Sequence, residues 1–291
     1  MTYRYLVVDV FTDRVLEGNP LAVFPESTGL DDVTMQRIAR ELNLSETVFV
    51  VPPTRPECAA AIRIFAPVKE MLFAGHPVVG STYVLLKEGV LARDTERFTL
   101  EVKIGPLPIR VERGESPLIW LRTPPISFGR TFERALCADA LGLNTEDLLD
   151  VAPQMLSAGN RAAFIPLQNK SAVDRAWLDA RGLASLKDGS KDALVVFVFS
   201  PTPEGAYSRM FGQDIGVAED PASGSLTGPL AAYMMQTGLV ASANGTRFVS
   251  EQGTKMGRRS ILHVAVHGEH GRDGIDIGGS VVPIIEGRMT V

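Results

Sequence analysis

Three short stretches hold the residue types that can move a proton. The first is Glu46, in LNLSETVFV, between a helix-like segment and an apolar, strand-like one. A carboxylate placed there is poorly solvated, and desolvation raises its pKa toward neutrality, as general acid/base work requires. Helix-end capping by Ser45 and Glu46 is the competing structural reading. The second is Ala74-Gly75-His76-Pro77, matched later in the chain by Ser223-Gly224-Ser225. Both put a glycine at the start of an apolar segment of helical length. A helix N-terminus presents unpaired N–H groups and partial positive charge, so two of them facing one ligand would hold a carboxylate or a developing enolate without a metal. The glycines also suit a tight turn into a helix and nothing more. The third is Glu219-Asp220, just ahead of the second glycine turn. Acids favour a helix N-terminus for structural reasons; beside Glu46 and His76, one of them could instead orient the imidazole or bind a substrate amine.

Other groups of reactive residues fail on spacing. His263, His267 and His270 with Glu269 resemble a metal cluster, but the stretch reads as a strand followed by a turn. Four residues along a strand span about 13 Å, too far for His263 and His267 to share an ion, so a solvated edge is expected and no metal site. No GxGxxG or Walker A sequence is present, so no nucleotide cofactor is implied. GSLTG lacks the central serine of a nucleophile elbow. Cys58 and Cys137 have no CxxC spacing and form no disulfide framework, which suits a reducing cytoplasm.

The elements that must position these residues recur. Gly18-Asn19 (GNPLAVF) is echoed by Gly159-Asn160 (GNRAAFI), and 48–53 (VFVVPP) by 196–201 (VFVFSP). Arg63-Ile64-Phe65 is echoed by Arg209-Met210-Phe211, and Ala74-Gly75-His76 by Ser223-Gly224-Ser225. The offsets are 141, 148, 146 and 149. Four collinear pairs point to duplication of a domain-sized unit rather than a solenoid, with a ligand cleft expected where the halves face each other. The carboxylate of Glu46 belongs to one half alone, because position 194, its equivalent at an offset of 148, is Leu. Within each half, short β-branched and aromatic runs such as LVVDVF, TVFVV and AIRIF read as strands. Residues 34–42 read as an amphipathic helix, with Met35, Ile38, Ala39 and Leu42 on one face and the aspartates at 31 and 32 at its start. The helix after Gly75-His76-Pro77 is apolar nearly all round and should be buried on every side, with PLAAYMMQTG from Pro229 as its counterpart. Pro77 and Pro229 both suit the first turn of a helix. The fold class expected is α+β, with two pseudo-symmetric domains, each of antiparallel strands around a buried helix. Pro124-Pro125 marks the boundary, giving halves of 1–124 and 125–276.

Composition narrows the function classes. The chain of 291 residues is long enough for two modest cores; it is 45% hydrophobic and 22% charged, with a formal net charge of -5. A mildly acidic chain has no general attraction for nucleic acid or anionic membranes, and Arg258-Arg259, the densest basic spot, is too small for a phosphate-tracking patch. MTYRYLVVDVF starts a strand rather than a signal peptide, and the longest apolar run, 193–199, is far short of the roughly 20 residues that span a bilayer. A cytoplasmic protein is expected.

LEGNPLAVF, MQRIARELNLSETVFV, IRIFAPVKEMLFAGHPVVG, RMFG…VAEDPASGSLTGPL and EQGTKMGR together resemble the PhzF family of phenazine biosynthesis, in order and over almost the whole chain. The stretch 124–193 is the least diagnostic. The resemblance implies a diaminopimelate epimerase-like fold, with a strand barrel around a central helix in each domain. It also implies that residues 277–291 cross back to the first domain, and that the protein is a homodimer. It implies a cofactor-independent isomerase that moves a proton along the ring of a dihydro-hydroxyanthranilate. The acid of the family's NLSE motif carries over to Glu46, the histidine of AGHP to His76 and the aspartate of ED-x-A to Asp220. The glycine and serine at the second helix start carry over to Gly224 and Ser225. With Ser45 and Gly75, these last two form the expected set for a small carboxylated substrate. The epimerase relatives use two facing cysteines where this chain has Ala74 and Ser223, neither acidic enough to deprotonate carbon. An epimerase or racemase using Glu46 and Asp220 in place of thiols is the alternative within enzymes. A metabolite-binding or interaction protein on the same fold is the alternative outside them, and it would need no buried acid/base group.

Overall fold

The computed structural model describes residues 1–114, 116–271 and 274–291. The chain divides into two compact units, Met1–Arg122 with Ile277–Val291, and Thr123–Asp276. The division falls just before Pro124-Pro125, because Thr123 already belongs with the second unit, its N–H donating to Ile275 O at 2.8 Å.

The first unit runs β1 (Thr2–Val10), β2 (Asn19–Phe24), α1 (Asp32–Leu42), β3 (Glu46–Val51), β4 (Ala60–Phe65), β5 (Glu70–Met71), α2 (Gly75–Lys87), β6 (Arg97–Val102), β7 (Gly105–Glu112) and β8 (Leu118–Arg122). The second unit holds β9 (Ser127–Thr131), α3 (Arg134–Ala140), β10 (Gln154–Ser157), β11 (Arg161–Pro166), α4 (Lys170–Arg175), α5 (Ala180–Lys187), β12 (Val195–Thr202), β13 (Gly205–Gly212), β14 (Val217–Asp220), α6 (Gly224–Gln236), β15 (Arg247–Gln252) and β16 (Ser260–His267). After β17 (Gly274–Gly279), β18 (Val281–Thr290) lies in the first unit and pairs with β1 from Thr2↔Thr290 to Val10↔Val281.

The expected duplication is visible in the strand order. In the first unit, pairing runs β18–β1–β2–β3–β4–β6–β7–β8. In the second it runs β9–β10–β11–β12–β13–β15–β16. The sheets are not purely antiparallel, as the sequence reading held. The pairs β2–β3, β4–β6, β11–β12 and β13–β15 are parallel. In each case a helix lies between the two strands in the chain, and a helical crossover returns the chain in the same direction. The α+β class holds, as a mixed sheet.

The central helices explain the nearly continuous apolar segments. In α2 every residue from Gly75 to Thr82 is buried, as are Val84 and Leu85, and strands β1, β2, β3, β8 and β18 pack against it. The equivalent α6 is buried along most of its length against β10, β11 and β16. Both helices are 13 residues long and start at glycines 149 residues apart. Pro77 lies in the first turn as expected. Pro229 does not: α6 begins at Gly224, so Pro229 is inside the helix. The sequence reading took that proline as the start, but the helix N-terminus is set by the glycine equivalent to Gly75. The amphipathic α1 is capped by Asp31, whose side chain accepts the N–H of Thr34, and buries Met35, Ile38 and Ala39. Among the described residues no helix is long and apolar enough to cross a membrane.

Candidate functional site

In the first unit four of the expected site residues come together around the start of α2. Gly75 is the first residue of the helix and His76 the second. Glu46 opens β3, paired in register with Leu21 of β2, and Ser45 precedes it. His76 Nε2 lies 3.3 Å from Glu46 Oε2, with the two side chains only 4% and 15% exposed. On the other edge of the ring, His76 Nδ1 lies 3.3 Å from Asn19 Nδ2. Ser45 Oγ–H donates to Asn19 Oδ1 at 2.9 Å. The four side chains thus form one chain of polar contacts, Ser45–Asn19–His76–Glu46. Burial removes the ring from water and pushes the His76 pKa down to about 3, so the imidazole is neutral at physiological pH.

Asn19 was not singled out as a site residue by the sequence reading, although a signal was present in the repeated Gly-Asn pair. Gly18 supplies the left-handed turn (φ 70) that turns the chain into β2 at Asn19. In the second unit Gly159 has φ 110, and Asn160 Nδ2 donates to Ser225 Oγ at 3.5 Å. Each unit therefore uses a Gly-Asn turn to place an amide against the second residue of its central helix.

In the second unit the expected residues Asp220, Gly224 and Ser225 gather at the start of α6. Asp220 ends β14 and is buried, and Gly224 and Ser225 are the first two residues of α6. Ser223, at the N-cap position, does not cap the helix; its hydroxyl donates to Asp220 Oδ2 at 2.5 Å. Gln252, fully buried at the end of β15, holds this turn. Its Nε2 donates to Asp220 O (2.7 Å) and to Ser223 Oγ (3.1 Å), and its Oε1 accepts Ser223 N–H (3.1 Å). Gln252 lies in the EQGTKMGR stretch, which had shown resemblance but no chemistry of its own.

Pseudo-symmetry separates the two adjacent acids. Glu219 makes a two-pronged pair with Arg209, Nε–Oε1 2.8 Å and Nη2–Oε2 2.9 Å. Arg209 Nη1 also donates to the carbonyls of Val173, Asp174 and Ala176, and its guanidinium stacks on Phe211. In the first unit Arg63 stacks on Phe65 and pairs with Glu70 at 2.8 Å. The repeated Arg-x-Phe and its glutamate, 149 residues apart as Glu70 and Glu219, are thus a structural device used twice. At the same offset the counterpart of Asp220 is Met71. Asp220 and Glu46 are acids that their own repeats do not share.

The central helices leave their first N–H groups without a side-chain cap, since Ala74 has no acceptor and Ser223 turns to Asp220. By contrast α1, α4 and α5 are capped by Asp31, Asn169 and Asp179, while the short α3 also lacks a side-chain cap. The remaining reactive residues stay apart from both clusters. Cys58 and Cys137 are buried free thiols; burial raises both pKa values, that of Cys137 to about 12. His267, read as part of a solvated edge, is 40% exposed and also pairs with the buried carboxylate of Asp276 at 2.8 Å. His270 sits in a left-handed turn (φ 53). No group of three or more potential ligands that could hold a metal occurs among the described residues.

The sequence profile of the family described as "Phenazine biosynthesis-like protein" (PhzC-PhzF) matches residues 8–287. The chain is 34% identical over 289 residues to trans-2,3-dihydro-3-hydroxyanthranilate isomerase of Pseudomonas aeruginosa, covering 98% of this chain and 99% of that protein. Among solved structures, a PhzF-family phenazine biosynthesis protein of Bacillus anthracis superposes with a TM-score of 0.88 at 26% identity, covering 100% of each chain. A hydroxyproline epimerase of Agrobacterium vitis shares the fold at a TM-score of 0.69 and 14% identity, over 99% of this chain and 92% of that one. The chain belongs to the PhzC-PhzF family of phenazine biosynthesis-like proteins and is an isomerase.

Proposed function

We propose that the chain isomerises a small carboxylated metabolite of the dihydro-hydroxyanthranilate type by general acid/base proton transfer, with Glu46 as the proton carrier. The observation that carries this reading is the carboxylate of Glu46, 15% exposed, against the neutral imidazole of His76 at the start of α2. A carboxylate so placed can take a proton from one carbon and return it to another, and a neutral neighbour does not drain its basicity as a cation would. His76 and Asp220 assist the tautomeric steps by holding polar substrate groups. Ser45, Gly75, Gly224 and Ser225 hold the anionic end, a role supported by the uncapped N–H groups of α2 and α6. No step in this scheme draws on a cofactor. The protein acts in the cytoplasm as a homodimer, as the family resemblance suggests.

Trans-2,3-dihydro-3-hydroxyanthranilate, the compound named for the Pseudomonas aeruginosa relative, is the first substrate to assay. The reading expects its conversion with a change in ultraviolet absorbance and, in D₂O, deuterium at the accepting carbon unless the transferred proton is shielded from solvent. If neither this compound nor other carboxylated cyclic dienes are turned over, the assigned substrate class is wrong.

A further inference from the structure

We propose that Asn19 is a positioning residue that fixes His76 as the Nε2–H tautomer, so that the ring presents an N–H edge to the Glu46 carboxylate and does not act as a second base. The inference rests on the assignment of Glu46 as the proton carrier. Two sets of contacts, on opposite edges of the ring, lead to it. On one edge, a carboxylate oxygen of Glu46 lies 3.3 Å from His76 Nε2. With a carboxylate oxygen that close, charge favours a proton on Nε2 over a lone pair, although the two atoms are not aligned as a hydrogen bond. On the other edge, Ser45 Oγ–H donates to Asn19 Oδ1, which turns the Asn19 amide nitrogen toward His76 Nδ1, 3.3 Å away. An N–H donor facing Nδ1 requires that nitrogen to be the bare acceptor. Both edges favour the same tautomer.

The ring is buried and neutral, so it carries one ring proton and not two. The consequence is chemical. A His76 imidazolium would hold Glu46 as a tightly paired anion, too weak a base for a carbon acid. A neutral Nε2–H steadies the carboxylate and leaves it basic. At 3.3 Å and without hydrogen-bond alignment, the contact is weaker than a charge-assisted bond of roughly 2.7–2.9 Å. Asn19 can play this part because its side chain is fully buried and each of its amide atoms meets a polar partner, Oδ1 facing Ser45 Oγ and Nδ2 facing His76 Nδ1.

The test is nitrogen-15 spectroscopy of the histidines in the resting protein, with the His76 signals identified by their loss in His76→Asn. The wild type should show Nε2 as the protonated, pyrrole-type nitrogen and Nδ1 as the bare, pyridine-type nitrogen, with a scalar coupling between Nδ1 and the Asn19 amide nitrogen. Asn19→Asp replaces the donor with an acceptor of the same shape, so Nδ1 should become protonated and kcat should fall with KM retained. A wild-type ring protonated on Nδ1, or on both nitrogens, would overturn the proposal. So would an unchanged Nε2–H signature in Asn19→Asp and in Asn19→Leu. If neither variant folds, the wild-type tautomer and the coupling across the hydrogen bond still decide the matter. Because the tautomer is read without substrate, a wild type showing Nε2–H while Glu46→Gln remains active would sink the role of Glu46 and leave that of Asn19 standing.

Discussion

Glu219 and Asp220 are neighbours in the chain with opposite uses, and the difference can be measured. Glu219 neutralises Arg209, a guanidinium side chain only 5% exposed. Removing one partner of such a pair leaves a buried charge uncompensated, so Glu219→Gln should cost about 3 kcal/mol in denaturant unfolding while turnover per folded molecule is kept. Asp220→Asn should do the reverse, with turnover lost and the unfolding midpoint nearly unmoved; equal effects of the two variants on stability and turnover would refute the division of labour. His76 gives a prediction in pH. Its folded pKa of about 3 lies below the ordinary value of 6.5. Between those values the unfolded chain binds a proton that the folded chain does not, so stability rises with pH across this window and is lost as pH falls through it. His76→Asn should therefore lose less stability than wild type between pH 6.5 and pH 4, as compared by urea melts; identical acid limbs would show that the ring titrates normally.

Gly18 and the two central helices set the scale above the residue. At Gly18 a Cβ would stand 2.4 Å from Val10 O and 2.6 Å from Thr12 Cγ2, in a backbone with φ 70. Gly89 has the same backbone, φ 72, with nothing within 4 Å of a Cβ. Gly89→Ala should cost about 1 kcal/mol for the left-handed conformation alone, and Gly18→Ala clearly more, because its neighbours include backbone. Gly18→Ala should also reduce turnover, since the next residue is Asn19; equal melting temperatures for the two variants would count against this. These elements also show what the sequence made legible. The α+β class, the start of α1 at the aspartates and the buried α2 followed from periodicity and capping residues, which are local signals. The parallel strand pairs did not, because strand direction depends on partners far apart in the chain. Pro229 misled because a proline is tolerated within a helix that tertiary packing buries. Glu46 and His76 were visible as residue types in a pattern, whereas Asn19 was marked only by the repeated Gly-Asn pair and Gln252 was hidden: a buried amide has no charge or periodicity to mark it, and its role lies in contacts between distant segments.

The whole chain behaves as two units of different continuity. Residues 123–276 form one continuous stretch, while the first unit needs β18 to pair with β1 along its length. Residues 123–276 expressed alone should therefore unfold cooperatively, and residues 1–122 alone, with β1 left as an open edge, should not; a cooperative melt of residues 1–122 would show β18 to be dispensable. Turnover is expected to survive exhaustive chelation and dialysis, because every step proposed uses side chains and backbone N–H groups; a loss restored by added metal would rule that scheme out. The central claim is that Glu46 carries the proton, and Glu46→Gln tests it most directly. Gln keeps the shape and the hydrogen bonds but cannot exchange a proton with carbon. The measurement is single-turnover conversion of trans-2,3-dihydro-3-hydroxyanthranilate in D₂O by wild type and variant, at matched binding and matched melting temperature. The account predicts deuterium on the accepting carbon with wild type wherever the proton on Glu46 exchanges with solvent before it is returned, and a rate lower by at least about 10²-fold with Glu46→Gln. A variant that binds, folds and turns over within a few-fold of wild type would contradict it.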